Sequence, residues 1–323
     1  MINYPLRFEP ILKERIWGGE KLLTTFNKKS NTENIGESWE VSDLEGSVSI
    51  VSNGNLKGKS LKELIKIYKG KLVGEKVYKA FGNDFPILIK FIDAKTPLSI
   101  QVHPNNELAK ERHNSFGKNE MWYVMQADEN AELIVGFRKD VDEKEYLAKL
   151  AEGKVLDILN SEKIDKGDTF YIPTGRIHAI GAGVLLAEIQ QTSDVTYRIY
   201  DYNRVDVNTG KERELHTDLA LEAIDYKLYD SYKTSYKLEE NTSNELVYSP
   251  YFNTNIINLK GELTKDYTDL DSFVIYMCVE GLITLELNEE ISTLNCGETI
   301  LLPTAMNNVK IKSKNAKILE VYY

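Results

Sequence analysis

Cysteine and histidine are both scarce in this chain of 323 residues, which has two Cys and four His. Cys278 and Cys296 lack metal-type spacing, so they read as small core hydrophobes rather than as a thiolate metal site. Any metal must then be held by the histidines and by some of the 50 acidic side chains. Positive charge is also in deficit, with a net charge of −10 and a pI of about 5.2. That balance argues against a nucleic-acid partner, which would call for a basic face. A few local cations can still receive a phosphorylated small molecule. No apolar run approaches the roughly 20 residues needed to cross a bilayer. Residues 1–17 hold no unbroken apolar stretch of the kind a secretory signal carries. The expectation is a cytoplasmic protein that binds neither membrane nor nucleic acid. Nothing in the sequence marks a protein partner, and the length favours two domains.

What the chain does hold is organised around Leu98-Ser99-Ile100-Gln101-Val102-His103-Pro104. Polar and apolar residues alternate here, the period of a half-buried β-strand. Ile100 and Val102 face a core, while Ser99, Gln101 and His103 share the other face. Neighbours on one face stand about 6.6–7 Å apart, so Gln101 and His103 can lean toward one metal ion. Further along, Gly117 to Met125 puts Glu120 and Trp122 on one strand face and Met121 and Tyr123 on the other. A carboxylate opening so apolar a strand is either an exposed end or a buried ligand. Lys118 points the same way as Glu120, as a candidate anion contact.

Around these strands the pattern is mainly β with helical insertions. Helical spacing is read at about 60–78 (with Ser60 as N-cap), 140–163 and 217–226 (with Thr217 as cap). Residues 105–116 read as a loop or short helix, and Asn208-Thr209-Gly210 as a hairpin turn. Phe85 to Ile92 reads as a deeply buried strand, with Lys95 in the turn after it, where it can reach a substrate. Trp17 and Trp39, beside glycines, read as core anchors. Polar residues 227–248 form the candidate domain connection, and strands alternate with turns from Ser249 onward.

One internal repeat is informative. Gly167-Asp-Thr-Phe-Tyr-Ile-Pro-Thr, running on to His178, matches Gly297-Glu-Thr-Ile-Leu-Leu-Pro-Thr, running on to Asn308. Each copy reads as a strand entering a tight turn that delivers the next strand's first side chain inward. One copy delivers an imidazole and the other a poor metal ligand. The chain is therefore expected to hold two β-barrels of related design, with a metal site in the first alone.

Gly167, Pro173, Gly175 and His178 together resemble the second motif of the cupin superfamily, and Gln101-Val102-His103 with Glu120 resembles the first. Gln101 departs from the usual pattern, in which a His stands at its place. The strings Ser99 to Pro104, Gly117 to Trp122 and Gln191 to Arg198, with Trp17-Gly18-Gly19 and Gly36 to Trp39, resemble type I phosphomannose isomerases. The short C-terminal part is similar to their compact bacterial form. The resemblance implies two cupin-like jelly-roll barrels. Residues 1–238 would be the catalytic unit with its helical insertions, and residues 239–323 a smaller unit without metal. It implies metal ligands at Gln101, His103, Glu120 and His178, a catalytic arginine at Arg198, and interconversion of mannose 6-phosphate and fructose 6-phosphate through an enediol.

Two imidazoles, a carboxylate and an amide oxygen suit Zn2+, one per chain, though other divalent metals would accept the set. Ser99, Lys118 and, less directly, Lys95 are the candidate phosphate contacts. Candidates for the proton-transfer base are Glu37, Lys118, His113 and a metal-bound water, while His113 and His216 also read as surface residues. Two other functions compete: a non-haem-iron cupin dioxygenase and a non-catalytic sugar-phosphate-binding cupin. Gln101, Lys118 and Arg198 weigh against the dioxygenase.

Overall fold

The computed structural model describes residues 2–206, 209–287 and 290–323. Two facing β-layers form the first unit. One layer is a six-stranded sheet in the spatial order Ile11–Gly19, Ile35–Val41, Ile87–Ala94, Val184–Gln191, Glu120–Ala127 and Thr169–Ile172. The other has the order Tyr197–Tyr200, Ile100–Val102, His178–Ile180, Glu132–Phe137 and Leu159–Lys163. The three central strands of the larger sheet are buried along most of their length because both faces are covered. Ile87, Ile89, Phe91, Leu185, Ala187 and Ile189 face outward into a cluster shared with Leu61, Leu64, Leu72, Phe273 and Val321. The alternate residues Ile92, Ala94, Val184 and Leu186 point between the layers. Lys90 and Glu188 have the same parity, so they too project inward.

The second unit is a sheet of Ser243–Tyr248, Asn253–Asp266, Asn308–Tyr322, Val274–Leu287 and Glu290–Asn295, with Thr299–Leu302 pairing onto Val274–Leu287. It folds around its own apolar interior, which includes Leu259, Tyr276, Cys278, Ile300 and Ile318. The protein is mainly β and built of two jelly-roll units. Among the described residues, no helix is long and apolar enough to cross a membrane.

Where the sequence reading and the fold differ, the causes are local. The 60–78 stretch is three short helices, Leu61–Tyr68, Gly70–Val73 and Glu75–Phe81, broken at Lys69 (φ 52°) and Gly74 (φ 97°). Ser60 caps the first through a reciprocal bond with Glu63, a device worth about 1 kcal/mol. The 140–163 insertion is helical over Glu143–Ala151 and Val155–Ile158. Its last five residues, Leu159–Lys163, are a strand paired with Glu132–Phe137. The third helix, Thr217–Leu221, is capped at His216 without a side-chain bond and ends four residues before Asp225. Asn106–His113 is a helix, started by the Asn105 side chain and stopped by Asn114 in the left-handed region. Asn208 of the expected hairpin turn lies outside the described residues, but the flanking pairs Val205–Asp206 and Lys211–Glu212 are joined.

The internal repeat is structural. Gly167 and Gly297 adopt φ of 98° and 83°, and their amides bond to Val124 and Cys278 carbonyls at 2.8 Å. Each is followed by a four-residue strand, Thr169–Ile172 or Thr299–Leu302, and His178 and Asn308 each open the next one. The register extends the match: Ile172 faces Glu120 where Leu302 faces Val274. Gln101 faces His178 where Asp266 faces Asn308. The second unit thus has valine and asparagine where the first has glutamate and histidine.

Candidate metal centre

Three strands and one turn bring the site together. His178 opens its strand opposite Gln101, Glu120 opens a strand of the facing six-stranded layer, and His103 follows Val102 at the end of the organising strand. The Gly175 amide binds the His103 carbonyl at 2.9 Å, locking the Pro173-Gly175 turn against that strand end. His103, Glu120 and His178 are all buried, and their ligand atoms lie within 4.8 Å of one another. The two rings have centroids 4.8 Å apart, and Trp122 meets the His178 ring edge-on at 5.3 Å.

The hydrogen bonds fix what each imidazole offers. Nδ1–H of His103 donates to the Val195 carbonyl (2.9 Å), and Nδ1–H of His178 donates to the Arg176 carbonyl (2.8 Å). Both Nε2 lone pairs are thereby turned toward Glu120. Burial, and then the charge of Lys118, keep both rings neutral. The His178 pKa falls to about 3, and that of His103 falls well below its ordinary value. Glu120 Oε2 lies 3.6 Å from His103 Nε2, and its Oε1 lies 3.3 Å from His178 Nε2 without any hydrogen-bond donor. Glu120 Oε1 and His178 Nε2 are electron-rich atoms facing each other in a buried site with no donor between them, so the donor set fits a divalent metal.

Two further side chains touch this cluster. Lys118 is buried and directs Nζ to Glu120 Oε2 (2.5 Å) and His103 Nε2 (3.0 Å). Gln101 brings its amide nitrogen to 3.3 Å from His178 Nε2. Both also line a cleft of about 470 Å³, with Ser99, Lys90, Glu188 and Arg198 among its walls. Arg198 stands opposite Gln101 in the strand pairing. Lys95 is elsewhere, exposed and paired with Glu20 at 3.6 Å. His113 bonds the Tyr197 hydroxyl at 2.9 Å and lies outside the cleft lining. Glu37 does line the cleft. Burial opposes its ionisation, but Lys90 and Arg15, with a Trp39 hydrogen bond, outweigh that and hold its pKa at about 2. A carboxylate so acidic is a weak base.

The sequence reading missed the polar wall beside the cluster. Lys90 sits 3.1 Å from Glu188 and 4.0 Å from Glu37, and Trp122 Nε1 donates to Glu188 at 2.8 Å. The available signal was a lone charged residue inside each of two otherwise apolar strands, Ile-Leu-Ile-Lys-Phe-Ile and Val-Leu-Leu-Ala-Glu-Ile.

Residues 6–141 match the family model "Phosphomannose isomerase type I, catalytic domain", and residues 242–323 match "Mannose-6-phosphate isomerase, cupin domain". The mannose-6-phosphate isomerase ManA of Bacillus subtilis is 34% identical over 318 residues, 97% of each chain. The chain belongs to the type I phosphomannose isomerase family. A Streptococcus mutans mannose-6-phosphate isomerase is also 34% identical, over 94% of each chain. The crystal structure of the Bacillus subtilis mannose 6-phosphate isomerase superposes with a TM-score of 0.89 over 99% of both chains. The cluster described above thus lies in a member of this family, within the first of its two jelly rolls.

Proposed function

We propose that this chain is a metal-dependent aldose–ketose isomerase that interconverts mannose 6-phosphate and fructose 6-phosphate, with Zn2+ as its resident ion. The observation that carries the reading is the convergence of His103, His178 and Glu120, in which Glu120 Oε1 has no donor. Gln101 is assigned as the fourth ligand because its side chain borders His178, with the amide oxygen as the ligating atom once the amide is turned over. When bound, the metal supplies Lewis acidity toward the sugar oxygens and so stabilises the enediolate charge. Arg198 adds a guanidinium that stays protonated, placed across the strand pair from Gln101.

The remaining groups orient the substrate. Ser99 presents a hydroxyl at the cleft wall, and the Lys90–Glu188 pair presents fixed donors and acceptors to sugar hydroxyls. Lys118, joined to both Glu120 and His103, is assigned to the metal end of the cleft. The catalytic work is assigned to residues 1–238 and a cytoplasmic setting, with 239–323 as a metal-free companion. The isomerase names of the full-length relatives leave the dioxygenase alternative without support.

The test is an assay coupling mannose 6-phosphate to detection of fructose 6-phosphate, before chelation, after it, and after zinc return. Activity should vanish and then recover. Arg198→Ala should retain the metal and lose most turnover. A chelated protein of undiminished activity would refute the reading.

A further inference from the structure

We propose that Arg213, held in place by Asp201, is the residue that selects phosphorylated sugars, gripping the phosphate together with Arg198. The inference rests on the isomerase reading for the identity of the ligand, and on the charges of the cleft for its location.

Five cations line the cleft: Arg15, Lys90, Lys118, Arg198 and Arg213. Three of them are neutralised across its walls. Arg15 binds Glu37 through Nε and Nη2 at 3.0 and 3.3 Å. Lys90 lies 3.1 Å from Glu188, and Lys118 lies 2.5 Å from Glu120. Arg198 is different: its Nη1 donates to a backbone carbonyl, that of Glu214 (2.9 Å), and its buried Nε has no partner. Burial, and next the positive charge of Arg213, draw the Arg198 pKa below its ordinary value. Two guanidinium groups therefore repel each other at one end of the cleft, and an anion between them would relieve that repulsion.

Arg213 is also pre-oriented. Its Nε and Nη2 donate to the two oxygens of Asp201 at 2.8 and 2.7 Å, a planar two-point grip. Asp201 is itself buried and takes a further bond from Arg204, whose Nη1 is anchored to the Pro97 carbonyl at 2.6 Å. One carboxylate thus serves two arginines, so the trio keeps a net positive charge. Arg213 Nη1 is left without a hydrogen-bond partner among the described residues. The strap that carries Arg213 is fastened at Arg198 itself: the Arg198 amide donates to His216 Nδ1 (3.1 Å), and the His216 amide donates to the Arg198 carbonyl (2.7 Å). Asp206, on the same strap, also faces the cleft and sets an acidic border beside the pair. A planar fork with a free donor edge, beside a second guanidinium, suits a phosphate dianion.

The probe is inorganic phosphate, titrated into the metal-loaded full chain by calorimetry and used as a competitor of mannose 6-phosphate turnover. Arg213→Ala should weaken phosphate binding about tenfold to a hundredfold and raise KM for mannose 6-phosphate by a similar factor, as expected for losing a charged hydrogen bond. Metal content should hold, and the loss should fall on KM more than on kcat. Arg213→Lys should recover part of the loss, because it restores charge without the fork. Asp201→Asn, acting through orientation alone, should give a smaller rise in KM. Unchanged phosphate binding in Arg213→Ala overturns the proposal, as do loss of metal together with phosphate, or a wild type that does not bind phosphate. A wild type that binds phosphate through Arg213 but isomerises no hexose phosphate would sink the isomerase reading and leave this site standing.

Discussion

Glu120→Gln, studied in the presence of chelator, isolates what the buried cluster costs the fold when no metal neutralises it. The substitution keeps shape and removes one charge at a side chain of 0% exposure. Lys118, 5% exposed, then loses the carboxylate 2.5 Å away. At an effective dielectric of about 20, that contact is worth about 7 kcal/mol. The net cost of breaking a buried pair is smaller than the bare contact, typically about 3–5 kcal/mol. Burial raises the Glu120 pKa to about 7, so the comparison belongs at pH 9, where the carboxylate is ionised, and urea unfolding there should show Glu120→Gln destabilised by about 3–5 kcal/mol. Lys118→Met in the same chain should restore most of it, since no unpaired charge remains. A single variant within about 1 kcal/mol of wild type, or a double variant as unstable as the two losses summed, would refute the reasoning.

Other outcomes follow from the same geometry. Glu37, at a pKa of about 2 against an ordinary 4.5, contributes about 3 kcal/mol that is fully present above pH 4.5 and lost as pH falls toward 2. The stability gap between wild type and Glu37→Gln, measured by urea unfolding, should shrink across that window and stay constant above it. The repeat glycines should differ in sensitivity. At Gly297 an added Cβ would meet the Phe26 ring at 2.2 Å, whereas at Gly167 it meets only the Tyr236 hydroxyl, at 3.4 Å. Gly167→Ala should cost about 1–2 kcal/mol from the backbone alone, and Gly297→Ala about 1–3 kcal/mol more from displacing Phe26. Equal losses in denaturant midpoints would show that the neighbour is irrelevant.

Much of this centre was legible because period-2 alternation is a local signal. Ile100 and Val102 are fully buried as the pattern requires, and Gln101 lies on the opposite face with Ser99. The repeat was legible for a related reason: a left-handed glycine and a proline-ended strand impose fixed residue types wherever the same turn is built. Trp17 and Trp39 are core residues, as read. Tertiary pairing was not legible. Leu159–Lys163 has helical-looking spacing, yet Glu132–Phe137 recruits it as a strand. Lys90 and Glu188 were hidden because each is one charge in an apolar run, and their meaning depends on standing side by side across two strands 98 residues apart. Arg213 carries no sequence signal. It acquires a role only through Asp201 and the fastening of the strap to Arg198.

The most direct test of the central claim is the metal content of the purified chain after zinc loading and dialysis, compared between wild type, His178→Ala and His113→Ala. The account predicts a single tightly held zinc in wild type and in His113→Ala, and its loss in His178→Ala. Equal zinc in all three proteins would contradict it.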